Sequence, residues 1–169
     1  MEDIWLERYA FKNKPFDHQR EYLQRFWKKP VAALFADMGT GKSFMVINNF
    51  AMLYDVGKVN SALIIAPKGV YRNWVDQELP KHLPDHIIHR TALWTPNPRK
   101  AEKAELEKLW EVSDDLKILV MNVEALSTKK GVEYAKRFTM FTKCFMAIDE
   151  STTIKTPTAK RAKNVLKVG

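Results

Sequence analysis

The chain has 169 residues and a mass of 19.6 kDa, the size of one domain that can bury a full core without staples. Hydrophobic residues at 46% and charged residues at 28% exclude a disordered, collagen-like or disulfide-dense chain. The single cysteine, Cys144, excludes an intrachain disulfide and suits a reducing compartment. No apolar run approaches the ~18 residues of a membrane span. The acidic start, Met1 to Trp5, lacks the basic-then-apolar order of a signal peptide.

Lys and Arg number 28 against 20 Asp and Glu, a net charge of +8. From Ser151 to Gly169 there are five basic residues (Lys155, Lys160, Arg161, Lys163, Lys167) and no acidic one. Two readings fit this surplus: a face that attracts polyanions by counterion release, or a solvated surface that aids solubility.

Apolar strands alternate with helical stretches, the rhythm of a parallel, doubly wound α/β sheet. Residues 1–30 hold many aromatics, among them Tyr9, Phe11, Tyr22 and Trp27, and are expected to pack on the sheet as short helices. Val31–Ala36 is a continuous apolar run, typical of a strand buried on both faces. A helix from Lys42 to about Leu53 follows and ends near Gly57. Ala62–Ala66 is the second strand, stopped by Pro67. Val70–Leu79 is helical and is closed by Pro80 and Pro84. His86–Leu93 is a third, weaker strand. Asn97-Pro98 has the form of an N-cap followed by proline at the first helical position, opening a helix to about Val112 with Leu106, Leu109 and Trp110 inward. Ile118–Met121, a helix over Val132–Phe138 and a fifth strand over Cys144–Ile148 complete one domain, residues 1–169, without a linker.

Two segments carry chemistry. Ala36-Asp37-Met38-Gly39-Thr40-Gly41-Lys42-Ser43 follows the first buried strand and opens a helix, the context that a phosphate loop requires. Gly39 and Gly41 let the backbone curl so that its N–H groups, from Met38 through Ser43, face phosphate oxygens at a helix N-terminus. Lys42 would reach the β- and γ-phosphates and the Ser43 hydroxyl would ligate Mg²⁺. The second segment is the fifth strand's end, Asp149-Glu150. C-terminal ends of parallel strands share one edge, where ligands bind, so Asp149 should meet the phosphate loop there. Asp149 would hold Mg²⁺ and Glu150 would orient and deprotonate the attacking water.

Together with the residues between them, these elements resemble the first RecA-like domain of superfamily-2 helicases, and most closely the Swi/Snf-type DNA translocases with their compact phage and bacterial relatives. The likeness rests on five stretches over about residues 15–163: Pro15–Arg20, Asp37–Ser43, Leu63–Pro67 with Asn73-Trp74, Val120–Leu126, and Asp149–Thr152 with Ile154–Pro157. The resemblance implies that ATP and Mg²⁺ are the cofactors, that Gln19 reads adenine, and that Lys42 and Glu150 are the catalytic residues. It implies DNA contact, duplex rather than single-stranded, through Pro67, Lys68, Gly69, Asn122, Glu124 and Lys155. A second RecA-like domain, carrying an arginine finger, is expected to complete the motor and lies outside these 169 residues. Localisation would be cytoplasmic in a bacterium or infected host cell, or nuclear in a eukaryote, with no membrane partner.

The sequence departs from the family pattern at Ala36, where the phosphate loop usually opens on glycine, and at Ser151-Thr152, which replace Ala-His. Two other functions stay open: a regulatory module that binds DNA or a partner motor without turnover, and an RNA helicase domain. Trp74 reads either as a core aromatic or as a base-stacking platform. His82, His86 and His89 cluster in sequence, but Pro84 interrupts them and no cysteine is near enough to complete a zinc site. Cys144, within an apolar strand, reads as a packed thiol.

Overall fold

The computed structural model describes residues 8–27, 31–34 and 42–149. Among the described residues, five parallel strands form one sheet: β1 (Val31–Leu34), β2 (Ser61–Ala66), β3 (His89–Leu93), β4 (Leu116–Asn122) and β5 (Cys144–Asp149). Their order across the sheet is β1-β5-β2-β4-β3, which makes β5, β2 and β4 central. Side chains along a strand alternate between faces. Ala62, Ile64 and Ala66 of β2 therefore join one core, with Phe145 and Ala147 of β5, while Leu63 and Ile65 join a second core with Met146.

Helices cover both faces. The first core takes α1 (Asp17–Phe26), α2 (Lys42–Asp55) and α3, a continuous helical stretch over residues 71–82. Leu23, Phe50, Trp74 and Leu79 supply its bulk. The second core takes α4 (Lys100–Lys108), a 3-10 turn (Val123–Ser127) and α5 (Lys129–Phe141), with Leu106, Leu109, Leu126 and Phe138 inward. This is the doubly wound α/β arrangement expected of the alternating pattern.

The chain enters α1 from an extended segment, and the Gln19 side-chain oxygen accepts the Phe16 N–H at 2.8 Å. Of the short helices expected before β1, one, α1, lies among the described residues. The stretch before it is pinned instead to the end of α3: Lys12 Nζ donates to the Pro80 carbonyl at 2.8 Å and Asn13 Nδ2 to the Lys81 carbonyl at 2.6 Å. Helix α2 ends as expected. Gly57 at φ +77° lets the Lys58 N–H turn back to the Leu53 carbonyl at 2.9 Å.

Several boundaries differ from the sequence reading; β3, for one, starts at His89 and not at His86. Helix α3 does not stop at Pro80 but runs through it to His82. Residues Trp74–Glu78 form a π turn in which the Leu79 N–H reaches the Trp74 carbonyl. Proline has no N–H and its ring crowds the carbonyl of residue i−4, so a widened turn just before it lets the helix continue.

Helix α4 starts at Lys100, not after Asn97, because Glu102 Oε1 takes the Arg99 N–H at 3.1 Å and so caps the entry there. It ends at Lys108, where the Leu109 N–H closes a tight turn on Leu106. The tightening carries Trp110 off the inner face. Its indole N–H donates to the Tyr134 hydroxyl at 3.1 Å and the Arg137 guanidinium lies 5.4 Å from the ring centre.

Helix α5 begins three residues before the expected Val132, because the Thr128 hydroxyl accepts the Gly131 N–H at 3.1 Å as an N-cap.

Candidate functional site

All five strands being parallel, their C-terminal ends lie along one edge of the sheet. The register fixes who meets whom there. Leu34, the last residue of β1, pairs with Asp149, the last of β5. Ile148 pairs with Ile65 of β2, and Ala66 pairs with Asn122 of β4. The end of β1, Asp149, the turn that begins at Pro67 and the turn that begins at Asn122 are thus four successive stations on one rim. Lys42 is the first residue of α2. Of the residues singled out from sequence, Met38, Gly39, Thr40, Gly41, Glu150 and Lys155 lie outside the described residues, as do the basic tail and Trp5.

The first turn of α2 brings an acidic partner that sequence reasoning missed. The half-buried Ser43 hydroxyl donates to Glu78 Oε2 at 2.6 Å. Asn73 Nδ2 reaches the other carboxylate oxygen at 3.4 Å, and His82 Nε2 lies 3.4 Å from Oε2, one helical turn on. His82 packs edge-on to Phe44, which stacks in turn on Phe11. Burial pushes the His82 pKa below its ordinary 6.5 against the opposing pull of Glu78, so the imidazole is neutral at neutral pH. The sequence signal for this cluster was present in the i, i+4 spacing of Glu78 and His82. Pro80 masked it by suggesting that the helix had already ended.

The donor chemistry at Ser43 suits a hard divalent cation such as Mg²⁺. The hydroxyl is an oxygen ligand, and with its one proton given to Glu78 it presents lone pairs in the remaining directions.

Gln19 is buried, and the bond to the Phe16 N–H holds its side-chain oxygen at the start of α1. Helix α1 packs on α2, tied by Asn49 Nδ2, which donates to the Trp27 carbonyl at 2.5 Å.

Further along the rim, the Pro67 carbonyl accepts the N–H groups of both Val70 and Tyr71 at 3.0 Å, folding a tight turn into α3. That turn leaves Lys68 and Gly69 exposed. Asn122 Oδ1 accepts the Ala125 N–H at 2.9 Å and so caps the 3-10 turn, while Glu124 is exposed upon it.

The remaining aromatic, histidine and thiol candidates take structural places. Trp74 and Trp94 are buried in the two cores, which resolves Trp74 as a core aromatic. The three histidines part company: His82 joins Glu78, His86 Nε2 pairs with Asp55 Oδ2 at 2.8 Å, and His89 Nδ1 meets the Thr91 hydroxyl at 3.0 Å. Burial pushes the Cys144 thiol up to about 12, as expected of a packed cysteine. Among the described residues no helix is long and apolar enough to cross a membrane.

A family profile described as the SNF2-related domain matches residues 18–169. The chain belongs to this family. Over 170 aligned residues it is 27% identical to the DNA excision repair protein ERCC-6-like of Danio rerio, an alignment that takes in 90% of this chain and 10% of that protein. It is similar in fold to the Sulfolobus solfataricus SWI2/SNF2 ATPase core in complex with dsDNA, at a TM-score of 0.58 and 16% identity. That match covers 95% of this chain and 36% of the other. The SNF2-related chain described here therefore spans about a tenth of the curated relative and about a third of the solved core. The Swi/Snf-type resemblance drawn from its motifs holds, and with it the RecA-like α/β fold class.

Proposed function

We propose that this SNF2-related domain is the nucleotide-binding half of a DNA-dependent motor that hydrolyses ATP. The observation that carries the reading is the pairing of Leu34 with Asp149, together with the start of α2 at Lys42. β1 ends beside the acidic end of β5, and α2 begins at Lys42. In this reading the backbone from Met38 to Ser43 cradles the phosphates, Lys42 neutralises the β- and γ-phosphates, and Gln19 holds the adenine. Ser43 and Asp149 hold Mg²⁺, which when bound neutralises charge on the phosphate oxygens. Glu150 orients the attacking water and takes its proton.

Duplex DNA would pass along the same rim, over Pro67, Lys68, Gly69, Asn122, Glu124 and Lys155. The exposure of Lys68 at the end of β2 supports this, since a solvated ammonium on a turn reaches phosphates without reading bases. The solved core of similar fold is a complex with dsDNA, which points the same way. A second RecA-like domain would close over the nucleotide and supply an arginine finger, worth ~10³–10⁵ in rate in related phosphoryl-transfer systems. The chain alone is then expected to bind Mg-ATP but turn it over slowly.

The test is Mg-ATP binding and hydrolysis with and without duplex DNA, beside Lys42→Ala and Glu150→Gln. Binding abolished by Lys42→Ala, with slow turnover, supports the reading. DNA binding that survives Lys42→Ala in a chain with no affinity for nucleotide would replace it with a regulatory DNA-binding module. Competition between duplex DNA and RNA decides the polymer.

A further inference from the structure

Resting on the nucleotide-site reading above, we propose that Glu78 is a positioning residue for the Ser43 hydroxyl. By accepting its proton, Glu78 turns the oxygen lone pairs toward the divalent cation that accompanies the nucleotide.

A serine side chain has one proton and two lone pairs on a freely turning bond. As a cation ligand it works only when the proton points away from the cation. The Ser43 Oγ to Glu78 Oε2 distance of 2.6 Å is that of a charge-assisted O–H···O⁻ bond, the strong kind. It sets the rotor in one orientation before any cation arrives. Groups that orient a metal ligand in this way tune the affinity of the site without touching the metal.

Glu78 is itself held in place. Asn73 lies on one carboxylate oxygen and His82 near the other, and 26% of the Glu78 side chain is exposed. His82 is wedged by Phe44, the residue after Ser43, and by Asn13 Nδ2 at 3.4 Å from its Nδ1. The π turn over Trp74–Glu78 contributes as well. A π turn takes up one extra residue and so resets the angular phase of the residues after it by about 100°. Glu78 closes that turn, and the bulge that accommodates Pro80 also decides which direction the carboxylate faces. An acidic residue placed there only for solubility would not be ringed by Ser43, Asn73 and His82.

The experiment measures the affinity of a fluorescent ADP by titration, once in excess Mg²⁺ and once in EDTA. It compares the intact chain with Glu78→Ala, Glu78→Asp, Glu78→Gln, Ser43→Ala, the Glu78→Ala/Ser43→Ala pair, and Lys42→Ala. Glu78→Ala is expected to weaken binding about 10–100-fold in Mg²⁺, the usual cost of losing an outer partner, and to leave binding in EDTA unchanged. Glu78→Gln, whose amide oxygen accepts the same proton, should recover most of the affinity. The double variant should be no weaker than Ser43→Ala, because both changes remove one interaction. Glu78→Asp keeps the charge but falls a methylene short, and it should lose Mg²⁺-dependent affinity even if Glu78→Ala fails to fold. Unchanged Mg²⁺ binding in Glu78→Ala or Glu78→Asp overturns the proposal. So does equal weakening in EDTA, or additivity with Ser43→Ala. If Lys42→Ala and Ser43→Ala also bind like the intact chain, the nucleotide reading itself fails. If those two lose binding and the Glu78 variants do not, only the role of Glu78 fails.

Discussion

Leu34 and Asp149 are register partners at the C-terminal ends of adjacent parallel strands. The chain leaves β1 beside an acidic strand end, and two segments far apart in sequence meet on one rim. If Asp149 holds the cation there, Asp149→Asn should weaken Mg²⁺-dependent nucleotide binding about 10–100-fold. Its effect in EDTA should be small. Asparagine has the same shape as aspartate, so the thermal midpoint should stay close to that of the intact chain. Titration in Mg²⁺ and in EDTA, with a melting curve of each protein, checks both halves.

Gly131 sits in the first turn of α5, where an added Cβ would collide with the Ala125 carbonyl and crowd the Thr128 hydroxyl. The obstacle is backbone, which cannot swing aside as a long side chain can. Gly131→Ala should therefore destabilise the fold by about 1–3 kcal/mol, the range for overpacking, despite alanine's higher helix propensity. Urea unfolding followed by tryptophan fluorescence reads this directly. Stability equal to or above that of the intact chain would contradict the close packing of α5 on the 3-10 turn.

Asn122 caps the 3-10 turn through the Ala125 N–H. Asn122→Ala should cost about 1 kcal/mol of stability. Asn122→Asp keeps the acceptor and should restore it, while placing a negative charge on the proposed DNA path. Lys68→Ala offers the contrast: an exposed lysine on the neighbouring turn should affect stability little. Its loss should lower the slope of log affinity against log salt by about 1 if it neutralises one phosphate. Affinity measured across a salt series separates a capping role from a phosphate contact.

Cys144 and Tyr9 make the fold sensitive to alkali. Burial raises the Cys144 pKa from 9.0 to about 12. Burial also raises that of Tyr9, aided by its hydrogen bond to Asp55. A thiol with a raised folded-state pKa has its stabilising contribution fully present below about pH 9, the unfolded value, and loses it progressively as pH rises toward 12. Stability should accordingly fall above pH 9. At pH 8 a thiol reagent should react with Cys144 far more slowly than with the unfolded chain, because the raised pKa keeps the thiolate scarce. Rapid labelling of the native protein would show the thiol to be accessible.

The strands and the doubly wound pattern were legible because short buried runs, such as Leu63-Ile64-Ile65, are apolar on both faces and alternate with helical stretches, as strands covered on both faces do. Gly57 was legible as a helix stop because its left-handed backbone disfavours other residues. The motifs also sufficed to indicate the family, since order and spacing of short segments are properties of the chain itself.

Other features needed the packed molecule. Pro80 is a strong local signal for a helix end, yet packing of Trp74 and Leu79 into the core holds the helix together across a π turn. Arg99, not Asn97, precedes α4 because Glu102 reaches back to its N–H, and Trp110 lies outward because the turn at Leu109 tightens.

What the sequence determined by itself was the set of elements, the fold class and the candidate phosphate and acidic segments. Propensity, periodicity and motif spacing are local, and they do not depend on what packs opposite. What only the tertiary structure decided was adjacency: Asp149 beside Leu34, Asn122 beside Ala66, and Glu78 on the Ser43 hydroxyl. Strand order and the phase of α3 are set by how two cores fill on either side of the sheet, and that is a property of the whole chain at once.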